Sequence, residues 1–514
     1  MIRATRKSYK PALLLCGLVT LALIVRLIPG PRTVDDAYIT FRYARNLVNG
    51  HGFVYNPGER VLGTTTPLYT LTLAGLSLLT GSQDFPTLAV PVNALAGALS
   101  VGLLWLVGRR LTGSRVPATI AAVLWAIAPF SVTFAIGGME TDVTIALLLA
   151  AADAHLRQRP YCLAFLSAFA ILARPDTVIL LGMLWLDQAV ARKALPWREG
   201  LVSLGVLAPW LILGTIYFGS PIPGSIAAKS VTYRLSPEAN LVRLIQHYST
   251  PFLEHTLLGS RWQLIGFAVY LFICAVGSLR AVRRDHRVWP TVTYPWVYLA
   301  VFAISNPLLF RWYLSPPLPF YILTIVGGIW TLVQDLDGIA ARHSAPIRFP
   351  VRPSIVVTCT FALAATISTL NAWAPHPDHG PDRPAPDMAW FKLEQLYTQA
   401  AGVVLAENHP YGLLCAADIG ALGYYTDMRI LDTVGLVTPM SRDYYPADPA
   451  IHAITYAIPP DLILDTQPDV IVILEIYGRL GLLPDPRFQS QYRLVRKIPT
   501  DIYGSDGMLI YVRR

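Results

Sequence analysis

Apolar residues run along this chain in long blocks, separated by short polar stretches that carry most of its charge. A helix crossing a bilayer needs about 20 predominantly apolar residues. On that basis the segments 11–29, 87–108, 116–135, 141–156, 160–173, 176–191, 200–219, 262–280, 291–308, 316–334 and 353–371 are expected to span, eleven in all, the fourth to sixth being short. One further stretch, "PLYTLTLAGLSLLTG" at 67–81, is apolar but ambiguous. The pattern changes after residue 371. "APHPDHGPDRPAP" reads as a Pro-rich linker. It is followed by a helix-like stretch at 388–406 and by the short β-rich runs "YGLLCAAD", "RILDTVGL", "DVIVIL", "YRLVRKI" and "GMLIYVRR". A helix alternating with short apolar runs predicts a small α/β domain. The expected organisation is therefore a polytopic α-helical membrane domain at 1–371 with a long first loop at 30–86, a linker at 372–387, and an α/β domain at 388–514.

Composition agrees with the pattern. The 514 residues are 54% hydrophobic and only 14% charged, against about 25% charged in ordinary soluble domains. The net charge of +9 does not point to nucleic acid, because the Lys and Arg residues sit in short clusters between apolar runs. Such clusters mark the cytoplasmic ends of spans. If 67–81 does not cross, all of them fall on one side: Arg3 to Lys10, Arg109 to Arg115, Arg157 and Arg159, Arg192 to Arg198, Arg280 to Arg287, and Arg342 to Arg352. If it crosses, every cluster but the first moves to the other side. The segment is accordingly expected to lie along the interface as an amphipathic or re-entrant helix. This orients the N-terminus to the cytoplasm and the C-terminal domain outside a plasma membrane. Residues 11–28 are long for a signal peptide, and no small-residue cleavage site follows, so they are read as an uncleaved span. The five cysteines suggest neither a zinc site nor a disulfide framework.

The first loop opens on two adjacent acids, Asp35 and Asp36, in "VDDAYITFRYARNLVNGHGFVYNPGE". Acidic residues suit the first turn of a helix, and capping alone would account for them. They are followed at near-helical spacing by Tyr38, Arg42 and Arg45, which would align an aromatic ring and two cations on one stripe. A carboxylate there could take a proton from a sugar hydroxyl while cations hold a phosphate.

This run, the "TTTPLY" after it, "ARPD" at 173–176 and "DIGALGYYTDMRILDTVGL" at 418–436 resemble the GT-C superfamily of membrane glycosyltransferases, most nearly the mycobacterial terminal arabinofuranosyltransferases of cell-wall arabinan. The resemblance implies transfer of a sugar, arabinofuranose in those enzymes, from a polyprenyl-phosphate donor to a glycan, glycolipid or protein acceptor outside the cytoplasm. It maps the catalytic acid onto Asp35 and Asp36. An unperturbed Asp, with a pKa of about 3.9, would be ionised at neutral pH, and neighbouring Arg would keep it so.

Other residues are expected at the same membrane boundary. Glu140 and Asp142 in "GGMETD" could bind acceptor or a divalent cation, or cap a helix. No cofactor is otherwise implied. Arg174, Lys229 and Arg311 are candidate phosphate ligands, whereas Asp176 is read as a partner for Arg174. His51 reads as a loop residue, and Asp418 and Asp432 as turn residues or acceptor contacts. Trp373, Trp390, Tyr424 and Tyr425 could stack on sugars or belong to the core. The competing function is a transporter or flippase for a lipid-linked sugar, which would need charges near span centres and discontinuous helices. A catalytically silent scaffold would have no use for the acids and cations together.

Overall fold

The computed structural model describes residues 10–343, 352–373, 383–389, 392–407 and 412–514. Each expected apolar segment overlaps a helix. In chain order the helices are α1 (Lys10–Leu27), α2 (Asp35–Val48), α3 (Pro67–Thr80), α4 (Phe85–Thr112), α5 (Arg115–Ile127), α6 (Pro129–Ile136), α7 (Thr141–Leu156), α8 (Pro160–Ala173), α9 (Val178–Arg192) and α10 (Trp197–Phe218). They continue with α11 (Gly224–Thr232), α12 (Ala239–Ser249), the single turn α13 (His255–Leu258), α14 (Trp262–Arg284), α15 (Trp289–Ser305), α16 (Leu318–His343) and α17 (Pro353–Asn371).

Among the described residues, six helices are long and apolar enough to cross a membrane by length and composition, and α5 with α6 make a seventh if that pair, bent by 43°, counts as one span. The expected eleven segments include helices shorter than this. A helix of 14 to 16 residues such as α7 or α8 reaches only about 21–24 Å at 1.5 Å per residue, short of a hydrocarbon core of about 30 Å. These helices pack inside the bundle. α7 lies against α4 and α8 and is buried along most of its length. By contrast α10 exposes Leu201, Leu204, Ile212 and Ile216, the apolar surface that a helix presents to lipid.

The five β-rich runs each form one strand of a single sheet: β1 (Leu413–Ala416), β2 (Arg429–Asp432), β3 (Val470–Leu474), β4 (Tyr492–Ile498) and β5 (Met508–Arg513). Their order is β2-β1-β3-β5-β4. The β1–β2 and β1–β3 pairs are parallel, while β5 runs antiparallel to both β3 and β4. Central β3 is buried at every position, as a strand covered on both faces should be. Helix α18 (Lys392–Ala406) packs against this unit, and α19 (Gly420–Thr426) bridges β1 to β2.

The helical bundle and the sheet domain meet along α2 and α19. After α1 the chain runs extended, and the amides of Arg32 and Val34 donate to the carbonyls of Ile136 (2.8 Å) and Gly137 (3.0 Å) at the end of α6. This pairing sets the start of α2, and with it both acids, at the junction of the two domains.

A candidate active site between two cavities

Consecutive helical positions point about 100° apart at 3.6 residues per turn, so adjacent acids at the head of α2 face different surroundings. Asp35 turns to the sheet domain. Its two carboxylate oxygens accept from the amides of Gly420 (2.9 Å) and Ala421 (2.8 Å), satisfying amide donors that the first turn of α19 would otherwise leave unpaired. The Asp35 backbone amide in turn donates to Glu394 Oε1 of α18 at 2.6 Å. The approach is close enough that a Cβ at Gly420 would sit 1.8 Å from the Asp35 carbonyl oxygen.

Asp35 also borders one cavity, whereas Asp36 borders two. Asp36 lines a cavity of about 300 Å³ among the ends of the bundle helices and a second, of about 480 Å³, between the bundle and the sheet domain. Leu308 and Trp312 complete the shared wall. Thus one carboxylate borders both cavities.

The first cavity draws on segments far apart in sequence. Thr64, Thr65 and Thr66, from the "TTTPLY" stretch, line it together with Glu140, Arg174, Asp176 and Lys229. Ser225 and Lys229, at i and i+4 on α11, face it from one side. The buried Ser225 hydroxyl has no hydrogen-bond partner among the described residues. Arg174 sets its guanidinium on both oxygens of Asp176 (3.0 and 2.8 Å), 3.7 Å from Glu140 and over the Tyr313 ring. Its charge is therefore largely balanced. Lys229 makes no salt bridge among the described residues, and its ammonium lies over the Phe310 ring at 4.7 Å.

The second cavity is walled by Arg243 and Arg311 on the bundle side, and by Glu394, Asp418, Tyr456 and Tyr503 on the domain side. Asp418 accepts from the hydroxyls of Tyr397 and Tyr477. Tyr503 holds a left-handed backbone (φ +55°) at the rim, a conformation costly for a bulky residue.

Burial corrects the expectation that both acids are held ionised by neighbouring arginines. It pushes the Asp36 carboxyl above the usual range, while Lys229 pulls it back. Burial also raises Asp35 well above that range, with Asp418 and Glu394 reinforcing the shift. Glu394 rises to about 8, again through burial, with Arg311 opposing.

The expected stripe of Tyr38, Arg42 and Arg45 exists, but it grips the sheet domain and lines neither cavity. Arg42 is fully buried and donates to the carbonyls of Tyr55 (2.9 Å), Gly423 (2.7 Å) and Met428 (2.6 Å). Arg45 donates to the Tyr424 carbonyl and pairs with Asp427, and the Tyr38 hydroxyl meets that of Tyr425 at 2.9 Å. A buried guanidinium needs several acceptors, and two of the three are carbonyls of the other domain.

Asp142 also lies away from the cavities, in a buried pair with Arg26 at 3.0 Å. Among the described residues there is no group of three His, Cys, Asp or Glu placed to hold a metal ion, and Glu140 and Asp142 face different arginines, Arg174 and Arg26. Arg311 borders the second cavity and donates to the Met388 carbonyl. His51 is exposed. Asp432 accepts from the amides of Val434 and Val437, a turn role. Trp373 donates to the Ile127 carbonyl, Tyr424 is buried against Tyr38, and Trp390 lies outside the described residues. Glu394, Arg243 and Tyr503 were not singled out from the sequence. Each sits in an unremarkable local pattern, and only the packing of the domains brings it to Asp36.

The chain is similar to several known proteins. A family model described as a domain of unknown function (DUF8728) matches residues 389–511. The terminal beta-(1->2)-arabinofuranosyltransferase of Mycobacterium tuberculosis is 27% identical over 215 residues, which cover 38% of this chain and 34% of the relative. The match thus spans about a third of that enzyme's length. Among solved structures, ArnT from Cupriavidus metallidurans in the apo state aligns with a TM-score of 0.58 at 13% identity, covering 99% of this chain and 98% of that one. ArnT bound to undecaprenyl phosphate aligns at 0.55 with 13% identity, covering 98% of each chain. The apo Archaeoglobus fulgidus oligosaccharyltransferase aligns at 0.57 with 12% identity, over 99% of this chain and 75% of that one. Along nearly its whole length, then, this chain has the fold of ArnT and of the archaeal oligosaccharyltransferase.

Proposed function

We propose that this protein is an integral membrane glycosyltransferase, transferring a sugar from a polyprenyl-phosphate donor to a glycan, glycolipid or protein acceptor on the extracytoplasmic side of the plasma membrane. The observation that carries this reading is the position of Asp36 on the wall common to two cavities. The relative named for arabinofuranosyl transfer makes arabinofuranose the sugar to test first, and the undecaprenyl phosphate bound by ArnT supports a lipid-phosphate donor.

In this reading the donor occupies the first cavity. Ile39, Met139, Ile226 and Phe302 supply an apolar lining, and the ammonium of Lys229, free of a salt bridge among the described residues, attracts phosphate. Arg174 acts mainly by holding Asp176 and Glu140 in place. The acceptor hydroxyl enters from the second cavity, and its oxygen attacks the anomeric carbon. The bond from that carbon to the phosphate oxygen breaks, the proton passes to Asp36, and polyprenyl phosphate leaves with the bonding electrons. A base is most effective when its pKa lies near the working pH, and burial moves Asp36 in that direction. Sidedness rests on the basic clusters, which fall on one side when all eleven expected segments cross, the short α7 and α8 included, and α3 does not.

Purified protein in nanodiscs, given a panel of polyprenyl-phosphate sugars and mixed glycan acceptors, is expected to release polyprenyl phosphate and glycosylate an acceptor. Movement of intact lipid-linked sugar across liposomes, with no bond cleaved, would instead establish a flippase.

A further inference from the structure

A third cavity, of about 540 Å³, opens beside the second. It is lined by residues 230–234 at the end of α11 and by residues 446–449 and 452 of the sheet domain. Tyr233 borders both cavities, and so does the sheet-domain segment, whose residues 454–456 face the second. The two strips are tied together: the Arg234 amide donates to the Thr455 carbonyl at 2.9 Å, and the Thr232 hydroxyl to the Val434 carbonyl at 3.0 Å. The two cavities are therefore neighbours with Tyr233 on their common wall, and Asp36 borders the second of them.

The chemistry of these two cavities fits a carbohydrate. In the third cavity, Ser230, Arg234, Asp448 and His452 offer donors and acceptors of mixed sign. At the common wall, Tyr233 packs on Tyr456 (centroids 5.5 Å apart), which meets Tyr477 at 5.1 Å. Aromatic faces with polar tips suit the alternating apolar and hydroxylated surfaces of sugar rings. Neither strip is a strand, so the two present no sheet edge to an extended peptide.

We propose that the recess formed by 230–234 and 446–452 is an extended acceptor subsite for a linear oligosaccharide, whose chain passes Tyr233 and places its terminal residue beside Asp36. This rests on the glycosyltransferase reading and adds the substrate class: an acceptor several sugars long, held far from the reacting hydroxyl.

The test uses the full chain in nanodiscs with polyprenyl-phosphate arabinofuranose and arabinan fragments from disaccharide to octasaccharide. For the unaltered protein, KM is expected to fall with acceptor length. The double variant Arg234→Ala/His452→Ala should raise KM for the octasaccharide about tenfold, the scale of losing a polar anchor, with disaccharide KM and kcat unchanged. A KM independent of length, or a rise equal at all lengths, overturns the subsite while leaving the proposed function standing. If no acceptor of any length is glycosylated, the glycosyltransferase reading fails. Direct binding of labelled octasaccharide then decides the subsite: affinity weakened by the double variant supports it, and absent or unchanged binding ends it.

Discussion

Asp35 and Asp36 are one residue apart and do different work. Asp35 commits each of its oxygens to an amide of the sheet domain and borders only the second cavity. Asp36, with its raised carboxyl pKa, faces both cavities. An acid must be ionised to serve as base, so transfer should decline as pH falls through that raised value, above the range of an ordinary carboxylate. Lys229 is the neighbour that lowers it. Lys229→Met should therefore move the acid limb of the kcat/KM profile to higher pH, besides weakening donor binding. An unmoved limb with an intact maximum would mean that Lys229 does not act on the base.

Much of the element scale could be read from sequence, because helices and strands are set by local periodicity. The five β-rich runs become five strands, and the apolar blocks become helices. The span count was less legible, since an apolar block of about 15 residues suits a buried bundle helix as well as a crossing. The partners of α2 were not legible at all. Arg42 reaches carbonyls some 380 positions away, at Gly423 and Met428, and spacing within α2 says only which residues share a face. The sequence placed Asp36, Glu140, Arg174, Lys229 and Arg311 as site candidates, and these do line the cavities. Glu394, Arg243 and Tyr503 became visible only once the domains were docked. The α2–α19 contact has its own test. Gly420→Ala sets a methyl group against the Asp35 backbone, which has no flexible side chain to move, so the α19 cap should separate. A loss of about 1–3 kcal/mol, the usual range for overpacking, would be read as a lower thermal unfolding midpoint in detergent. An unchanged midpoint would show that the junction yields easily.

Across the whole molecule, the two domains share a junction rich in acids, and their association should respond to pH. Glu394 has a pKa of about 8 in the folded protein, against an ordinary 4.5. Its Oε2 is buried without a partner among the described residues, which suits a neutral carboxyl. A raised acid contributes stability that is fully present below its unfolded value and is lost as pH rises through the folded one. The thermal midpoint should thus decline between about pH 4.5 and pH 8, and Glu394→Gln should flatten that decline. A midpoint rising over the same interval would contradict it.

Whether the carboxylate shared by two cavities does the chemistry while its neighbour joins the domains is decided by single-turnover transfer with Asp36→Asn and Asp35→Asn side by side. Asp36→Asn should unfold at the unaltered protein's temperature, bind donor, and transfer sugar slower by about 10²–10⁴-fold, the usual contribution of a general base. Asp35→Asn should unfold at lower temperature yet keep a transfer rate within about tenfold when folded. Full activity in Asp36→Asn, or loss of chemistry confined to Asp35→Asn, would mean that Asp36 is not the base.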